Sequence, residues 1–469
     1  MCKRHPGAGR DPYARKSKVS RYSSAPLLKT RRVWVPALAG MTALAALLLM
    51  ATPALAQEMD HSKMEHGQSQ MDEVAESDFV HGHEMEQSIE GSGTSRLPVG
   101  ISIMKGLGRH SGLHFSPGGN WMLMLHGYAT SVYTDQTGPR GDDKFYVQSM
   151  AMLSAEKDTG WGRVKFNTMM SLEPLMKHNG YPNLFATGET AQGQPLIDRQ
   201  HPHDLFMELS ARVDVNVANN TRVFLYGGPV GEPALGPSAF MHRQSAKYNP
   251  EAPITHHWFD STHITYGVIT AGVATPTLQF EASAFRGREP DERRFNIETP
   301  KLDSWSVRAT WNPSPKWAAQ ISYGQLKEPE ELEPGDNEHR TTASVHYANG
   351  NGLSAMAAFS SKNKNPGRTL TAFVGEANWD ISDHHTLFGR IENVRNDALF
   401  PDALNPLHDQ AFRMTKFQAG YAYRLPLAGP VNLALGGSLS AFAKPAALDA
   451  AYGRHPMGYT LFAKLSLAH

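Results

Sequence analysis

The stretch Trp305-Ser-Val-Arg-Ala-Thr-Trp311, the break Asn312-Pro-Ser-Pro-Lys316 and the continuation Trp317-Ala-Ala-Gln-Ile-Ser-Tyr323 decide the fold. In an extended chain Trp305, Val307, Ala309 and Trp311 share one face, while Ser306, Arg308 and Thr310 share the other. Past the break, Trp317, Ala319, Ile321 and Tyr323 oppose Ala318, Gln320 and Ser322. Period two over such runs predicts strands, and the Pro/Ser/Asn break between them predicts a hairpin. The aromatic side chains fall at strand ends.

The pattern recurs in both directions. Leu205, Met207, Leu209, Ala211, Val213, Val215 and Val217 oppose Phe206, Glu208, Ser210, Arg212, Asp214 and Asn216. Near the C-terminus, Tyr459, Leu461, Ala463, Leu465 and Leu467 oppose Thr460, Phe462, Lys464 and Ser466. About sixteen such strands, each roughly 10 to 14 residues, are predicted over residues 121–469. Short turns at 157–160, 218–220, 272–276, 312–316, 348–351, 380–383 and 426–430 alternate with longer segments near 135–142, 176–202, 230–261, 288–301, 327–338, 362–367, 396–410 and 444–456. An even strand count with short turns on one side and long loops on the other resembles a Gram-negative outer-membrane β-barrel. The expected fold class is therefore all-β, a transmembrane antiparallel barrel. The last residues, Leu467-Ala468-His469, depart from the aromatic ending common in such barrels.

Composition is consistent with this. The 469 residues carry 45 basic and 45 acidic side chains, 22 His, 20 Met and one Cys. Residues 1–56 hold ten Lys/Arg, one acid and Cys2; without them 35 basic and 44 acidic residues remain. An acidic remainder argues against nucleic acid as a partner. A lone Cys2 excludes a disulfide scaffold, a Cys-based zinc site and a thiol enzyme. No apolar run of about 18 residues follows residue 56, which excludes a helical membrane bundle but not a barrel.

Arg31 and Arg32, the apolar Thr42–Met50 and Ala54-Leu55-Ala56 form the order of a secretory signal, with cleavage expected after Ala56. Residues 1–56 are thus excluded from the fold. His5–Pro12 and Trp34–Thr42 resemble the translation of a dispersed intergenic repeat, which leaves Met41 as another start. Residues 57–120 are expected to be a disordered tail and linker. The tail to residue 87 is rich in Met and His: Met59, His61, Met64, His66, Met71, His81, His83 and Met85. Thioether is soft and suits Cu(I); imidazole accepts Cu(II) as well. His61, Met64, His66, His81, His83 and Met85 are the ligands expected here, with a copper ion favoured.

Assigning the apolar faces to lipid sends Glu208, Arg212, Asp214, Arg222, Glu281, Arg308, Arg390, Glu392 and Lys464 into the lumen, with Arg163 and Lys165. A basic residue facing lipid near the midplane would cost about 2–4 kcal/mol, so inward placement is forced by energetics. Two long loops hold a second set of histidines. Asp198-Arg-Gln-His-Pro-His-Asp204 leads into one strand, and Thr255-His-His-Trp-Phe-Asp-Ser-Thr-His263 closes the next loop. His201, His203, Asp204, His256, His257, Asp260 and His263 are candidate transition-metal ligands. They also suit a hydrogen-bonded loop lock. A hydrolase using Ser245 or Ser261 is a weaker third reading, because no Gly-x-Ser-x-Gly element is present. The charged loop Phe285–Arg294 suits solvent or a lipopolysaccharide contact.

Tail plus barrel resembles the outer-membrane copper-resistance family of Gram-negative bacteria. The resemblance rests on the Met-x-His-Ser-x-Met pattern from Met59 to Met64 and on the architecture. It implies metal resistance, sequestration or export at the outer membrane, not an enzyme, with lipid and lipopolysaccharide around the barrel and periplasmic metal carriers meeting the tail. A general porin or solute channel is the alternative.

Overall fold

The computed structural model describes residues 88–103, 112–427 and 429–467. The expectations for the signal and for His61, Met64, His66, His81, His83 and Met85 lie outside these residues. Sixteen antiparallel strands close into a barrel. They run Trp121–Gln136, Asp143–Thr159, Gly162–Met170, Phe206–Ala218, Thr221–Gly231, Thr265–Ala274, Leu278–Phe285, Ser304–Ser314, Trp317–Leu326, Asn337–Ala348, Leu353–Asn365, Thr369–Asp380, His385–Asn396, Phe412–Pro426, Val431–Ala443 and Met457–Leu467. Each pairs with its sequence neighbours. Closure joins the last to the first, with Leu461 opposite Tyr133 and Lys464 opposite Thr130. Below that, a short strand Leu113–Gly118 takes over, Leu113 facing Leu125. The two ends of the folded chain thus share one seam position.

The opening hairpin forms as its alternation dictates. Val307 lies opposite Tyr323 and Arg308 opposite Ser322. The apolar member of each alternation points out: Phe280, Val307, Ile321, Phe359, Phe417 and Leu461 are all exposed. An exterior this apolar, continuous over the whole barrel, is the surface of a protein solvated by lipid. Aromatic pairs mark the rims, Trp317 with Tyr347 (centroids 4.6 Å apart) near the short turns and Trp305 with Tyr323 (5.6 Å) near the long loops. Polar partners point in. Glu208, Arg212, Asp214, Glu281, Arg308, Arg390 and Glu392 are buried, and Arg222 and Lys464 are part-buried. This is the architecture of an outer-membrane β-barrel.

Three expectations need correction. The first is the linker over 88–120. Ser88–Glu90 and Arg96–Pro98 pair as a small hairpin, and Leu113–Gly118 belongs to the wall. Charge places the hairpin in the lumen: Glu90 is held by Arg163, Lys165 and Arg212, while Thr94 bonds Glu281 and Arg308. The second is the long segment at 362–367. Strand Leu353–Asn365 runs on, because Lys362 stays inward on Glu338 at 3.2 Å, and residues 366–368 suffice to turn the chain. The third is Met207, placed on the lipid face by strict alternation. A register shift between Met169 and Met170 inserts one extra residue, and Met207 is turned into the interior at 1% exposure. Re-aiming one side chain is what a bulge does.

The lumen is filled. Almost all of loop 232–264 is buried, and its bonds reach around the wall. Ala234 N donates to Ser283, Gly236 N to Ser322 and Thr255 N to Glu392. Arg243 pairs with Glu376 at 2.7 Å, and Lys416 with Glu251 at 2.6 Å. The loop and the N-terminal hairpin meet where Ala239 N donates to Ser92 Oγ at 2.7 Å.

Candidate metal centre

Five imidazoles from two loops converge inside the barrel. His201 and His203 arrive at the end of the long segment before Phe206. His256 and His257 open a single helical turn, His256–Phe259, and His263 ends the 3-10 turn after it. Ring centroids lie 5.7 Å apart for His201–His256 and His201–His257, and 5.1 Å for His256–His257 and His256–His263. His203 sits 5.2 Å from His263. One nitrogen from each of His201, His256 and His257 can be taken so that all lie within 4.8 Å of one another. All five rings are buried.

Each ring is oriented through Nδ1. His203 Nδ1 bonds Glu173 at 2.8 Å, His256 Nδ1 bonds Asp260 at 2.9 Å and His257 Nδ1 bonds Glu289 at 3.1 Å. His263 Nδ1 donates to the Asp260 carbonyl at 2.6 Å, and His201 Nδ1 lies 3.2 Å from Glu189. By contrast, the Nε2 atoms of His201, His203, His257 and His263 are buried with no hydrogen-bond partner among the described residues. Buried polar atoms are nearly always satisfied by protein, water or a ligand, so four orphans in one cluster mark a place where a ligand or water can bind. An imidazole whose Nδ1 is held by a carboxylate or carbonyl and whose Nε2 is free is the form that binds metal. Close packing sharpens the placement: at Gly188, with φ +107°, a Cβ would fall 2.2 Å from the His257 ring.

Asp204 and Asp260 are drawn in, but as supports. Asp204 takes Arg294 and the Tyr266 hydroxyl; Asp260 takes Arg243, Phe240 N and His256. Burial, with Arg294 and the neighbouring rings, holds His201 well below its ordinary value. Burial and the neighbouring imidazoles do the same to His263. Burial lowers His256 in spite of Asp260. For His203 and His257 burial acts the same way but is outweighed by Glu173 and Glu289, which raise them. Burial, partly offset by Arg294, lifts Glu189 to about 8.

The orienting acids Glu173, Glu189 and Glu289 were not foreseen from sequence. Glu173 and Glu289 lie 30 and 32 residues from their histidines and Glu189 lies 12 from His201, and no local motif marks any of them. Beside His257, Glu289 and Glu330 bring carboxylate oxygens within 4.8 Å. Glu330 also faces the Lys362 ammonium at 3.4 Å. Ser245 donates to Glu376 and Ser261 accepts from Arg340, so their bonds run away from the imidazoles a hydrolase would need.

No protein-family description matches the chain, and no curated protein matches it. Solved structures do resemble it. They include OmpF of Salmonella typhi in complex with daunomycin (9% identity, 75% of this chain and 100% of that one, TM-score 0.47). Another is an anion-selective porin from Comamonas acidovorans (13%, 74% and 99%, 0.44). A third is OprB of Pseudomonas putida at high pH (11%, 74% and 94%, 0.45). At this identity the likeness concerns the fold alone.

Proposed function

We propose that this porin-type outer-membrane barrel handles a transition-metal ion at the imidazole cluster inside its lumen. The observation that carries the reading is the set of five buried, Nδ1-anchored histidines, of which His201, His203, His257 and His263 have unpartnered Nε2 atoms. His201, His256 and His257 would hold the ion, with His203 and His263 beside them. A nitrogen-only site suits Zn(II), Ni(II) or Cu(II), and among first-row divalent ions Cu(II) binds such sites most tightly. Copper thus stays the favoured cargo, as Cu(II) in this site. The thioether argument for Cu(I) belongs to the tail. Metal resistance or export is the cellular role that follows, the tail passing ions to or from periplasmic carriers.

The other reading is a solute channel without a metal role. Sixteen strands are wide enough for an aqueous passage, which favours it; the filled lumen opposes it. One experiment separates the two. The full chain in detergent is dialysed against Cu(II) or Zn(II), beside a His201→Ala/His256→Ala/His257→Ala variant. Metal handling predicts one equivalent lost in the variant, with the gel shift between unheated and boiled protein preserved. Equal metal in both, together with a substantial single-channel conductance in the parent, would leave the solute channel.

A further inference from the structure

Buried apolar side chains face inward at several places around the wall, and one of these groups stands apart by its composition. Met150, Met152 and Met169 project inward from the strands Asp143–Thr159 and Gly162–Met170, and the bulge turns Met207 in to join them. Met241 of the lumen loop packs against this group. Side-chain alternation would allow any apolar residue here; five thioethers came together, beside Val230, Ile264 and Tyr266. Register sets two of them in a row between a histidine and the Glu208 carboxylate. Met152 is the direct cross-strand partner of His126 on one side and of Met169 on the other. Partners of this kind hold their Cβ atoms about 4.5–5.5 Å apart, within reach of one shared ion. His242 follows Met241 in the chain. His126 Nδ1 and His242 Nε2 are both buried, with no hydrogen-bond partner among the described residues. The group adjoins the imidazole cluster through Phe240, whose ring lies 5.9 Å from His203.

We infer that Met152, Met169, Met207 and Met241, with His126 and His242, form a second metal site, selective for a soft monovalent d10 ion, Cu(I) or Ag(I). Thioether sulfur is neutral and polarisable. It stabilises such ions and offers little to Zn(II), Ni(II) or Cu(II), whereas the all-nitrogen cluster has the opposite bias. The site needs no redox step; it takes an ion already reduced. The inference deepens the metal reading and rests on its premise that ions enter the lumen, but its residues do not overlap the imidazole cluster.

The test uses the full chain in detergent. Cu(I), kept reduced, is titrated against a chromophoric chelator, and Zn(II) and Cu(II) are measured by dialysis. The parent is compared with a Met152→Leu/Met169→Leu/Met207→Leu variant. Leu for Met is close to volume-conserving, so the barrel should persist, and the gel shift on heating reports that it does. Tail thioethers bind equally in both proteins and cancel. The expected result is one Cu(I) equivalent lost, fewer sulfur neighbours per copper by X-ray absorption, and Zn(II) unchanged. Equal Cu(I) equivalents and an unchanged sulfur shell would overturn the inference, even with the imidazole site intact. Zn(II) and Cu(II) both failing to bind the parent would instead overturn the metal reading above. Should the triple variant lose its gel shift, Met152→Leu alone decides: Cu(I) at least tenfold weaker supports the site, and unchanged affinity rejects it.

Discussion

Two long loops on the same rim meet opposite fates. Residues 232–264 are buried almost throughout, whereas residues 397–411 stay at the mouth, anchored by Leu399 and Phe400 while Leu404 is 91% exposed. Hydrophobic content does not separate them. Charge does. Arg243, Glu251 and Asp260 each find a buried counter-charge, on Glu376, on Lys416 and within the loop itself. In the outer loop Asp402 and Asp409 face solvent, and Asp397 reaches only the rim cations Lys364 and Arg368. A loop enters a charged lumen when its own charges complement the wall, because an unpaired ion there would be prohibitive.

That contrast can be broken most severely at Arg243. Arg243→Ala leaves Asp260 buried without its cation and Glu376 with Arg390 alone, a loss of about 3–5 kcal/mol. The loop should detach. Single-channel conductance should rise, proteases should cut within 232–264, and the ion should be lost. Unchanged conductance would mean that apolar contacts alone hold the loop in. Next in size is Glu173→Gln. It keeps the shape but removes the acceptor charge from His203; metal weakened about 10–100-fold, read by competition dialysis, would add His203 to the ligands His201, His256 and His257, and unchanged affinity would leave it outside them.

Glu289→Gln tests pH dependence. Burial disfavours a charged His257, but Glu289 overrides it and raises the ring above its ordinary value. The proton competes with metal for Nε2, so parent affinity should fall about tenfold per pH unit below that raised value. Without the Glu289 charge the ring loses its proton at lower pH. The variant should bind more weakly at pH 8, yet its decline should begin at lower pH. A decline beginning at the same pH in both proteins would remove His257 from the ligand set.

A smaller effect is expected from Glu90→Gln. It frees the N-terminal hairpin from Arg163, Lys165 and Arg212 while loop 232–264 stays in place. Conductance should increase modestly, and metal binding should not change. Smallest of all, Leu404→Ala on the exposed loop should alter stability by less than about 0.5 kcal/mol and leave conductance and metal as they were.

Much of the wall was legible residue by residue. Trp305 to Trp311 and Trp317 to Tyr323 form the two strands that their alternation dictates, and Arg308, Glu281 and Arg390 face inward as lipid energetics demand. Met207 was not legible, since a bulge shifts the period by one and alternation carries no mark of it. Of the imidazole cluster, His201, His203, His256, His257 and His263 stood out by type and density. Their acids Glu173, Glu189 and Glu289 did not, because second partners are chosen by proximity in space.

By itself the sequence determined which face of a regular strand meets lipid, about how many strands there are and on which rim the long loops lie. Those follow from periodicity and from the cost of placing charge against hydrocarbon, both local properties of the chain. Only the tertiary structure decided that residues 88–98 and 232–264 turn inward, that histidines from separate loops converge, and that methionines from separate strands pack together. Those outcomes depend on pairing between residues more than a hundred positions apart, Arg243 with Glu376 and Lys416 with Glu251 among them, and no local pattern encodes such a pairing.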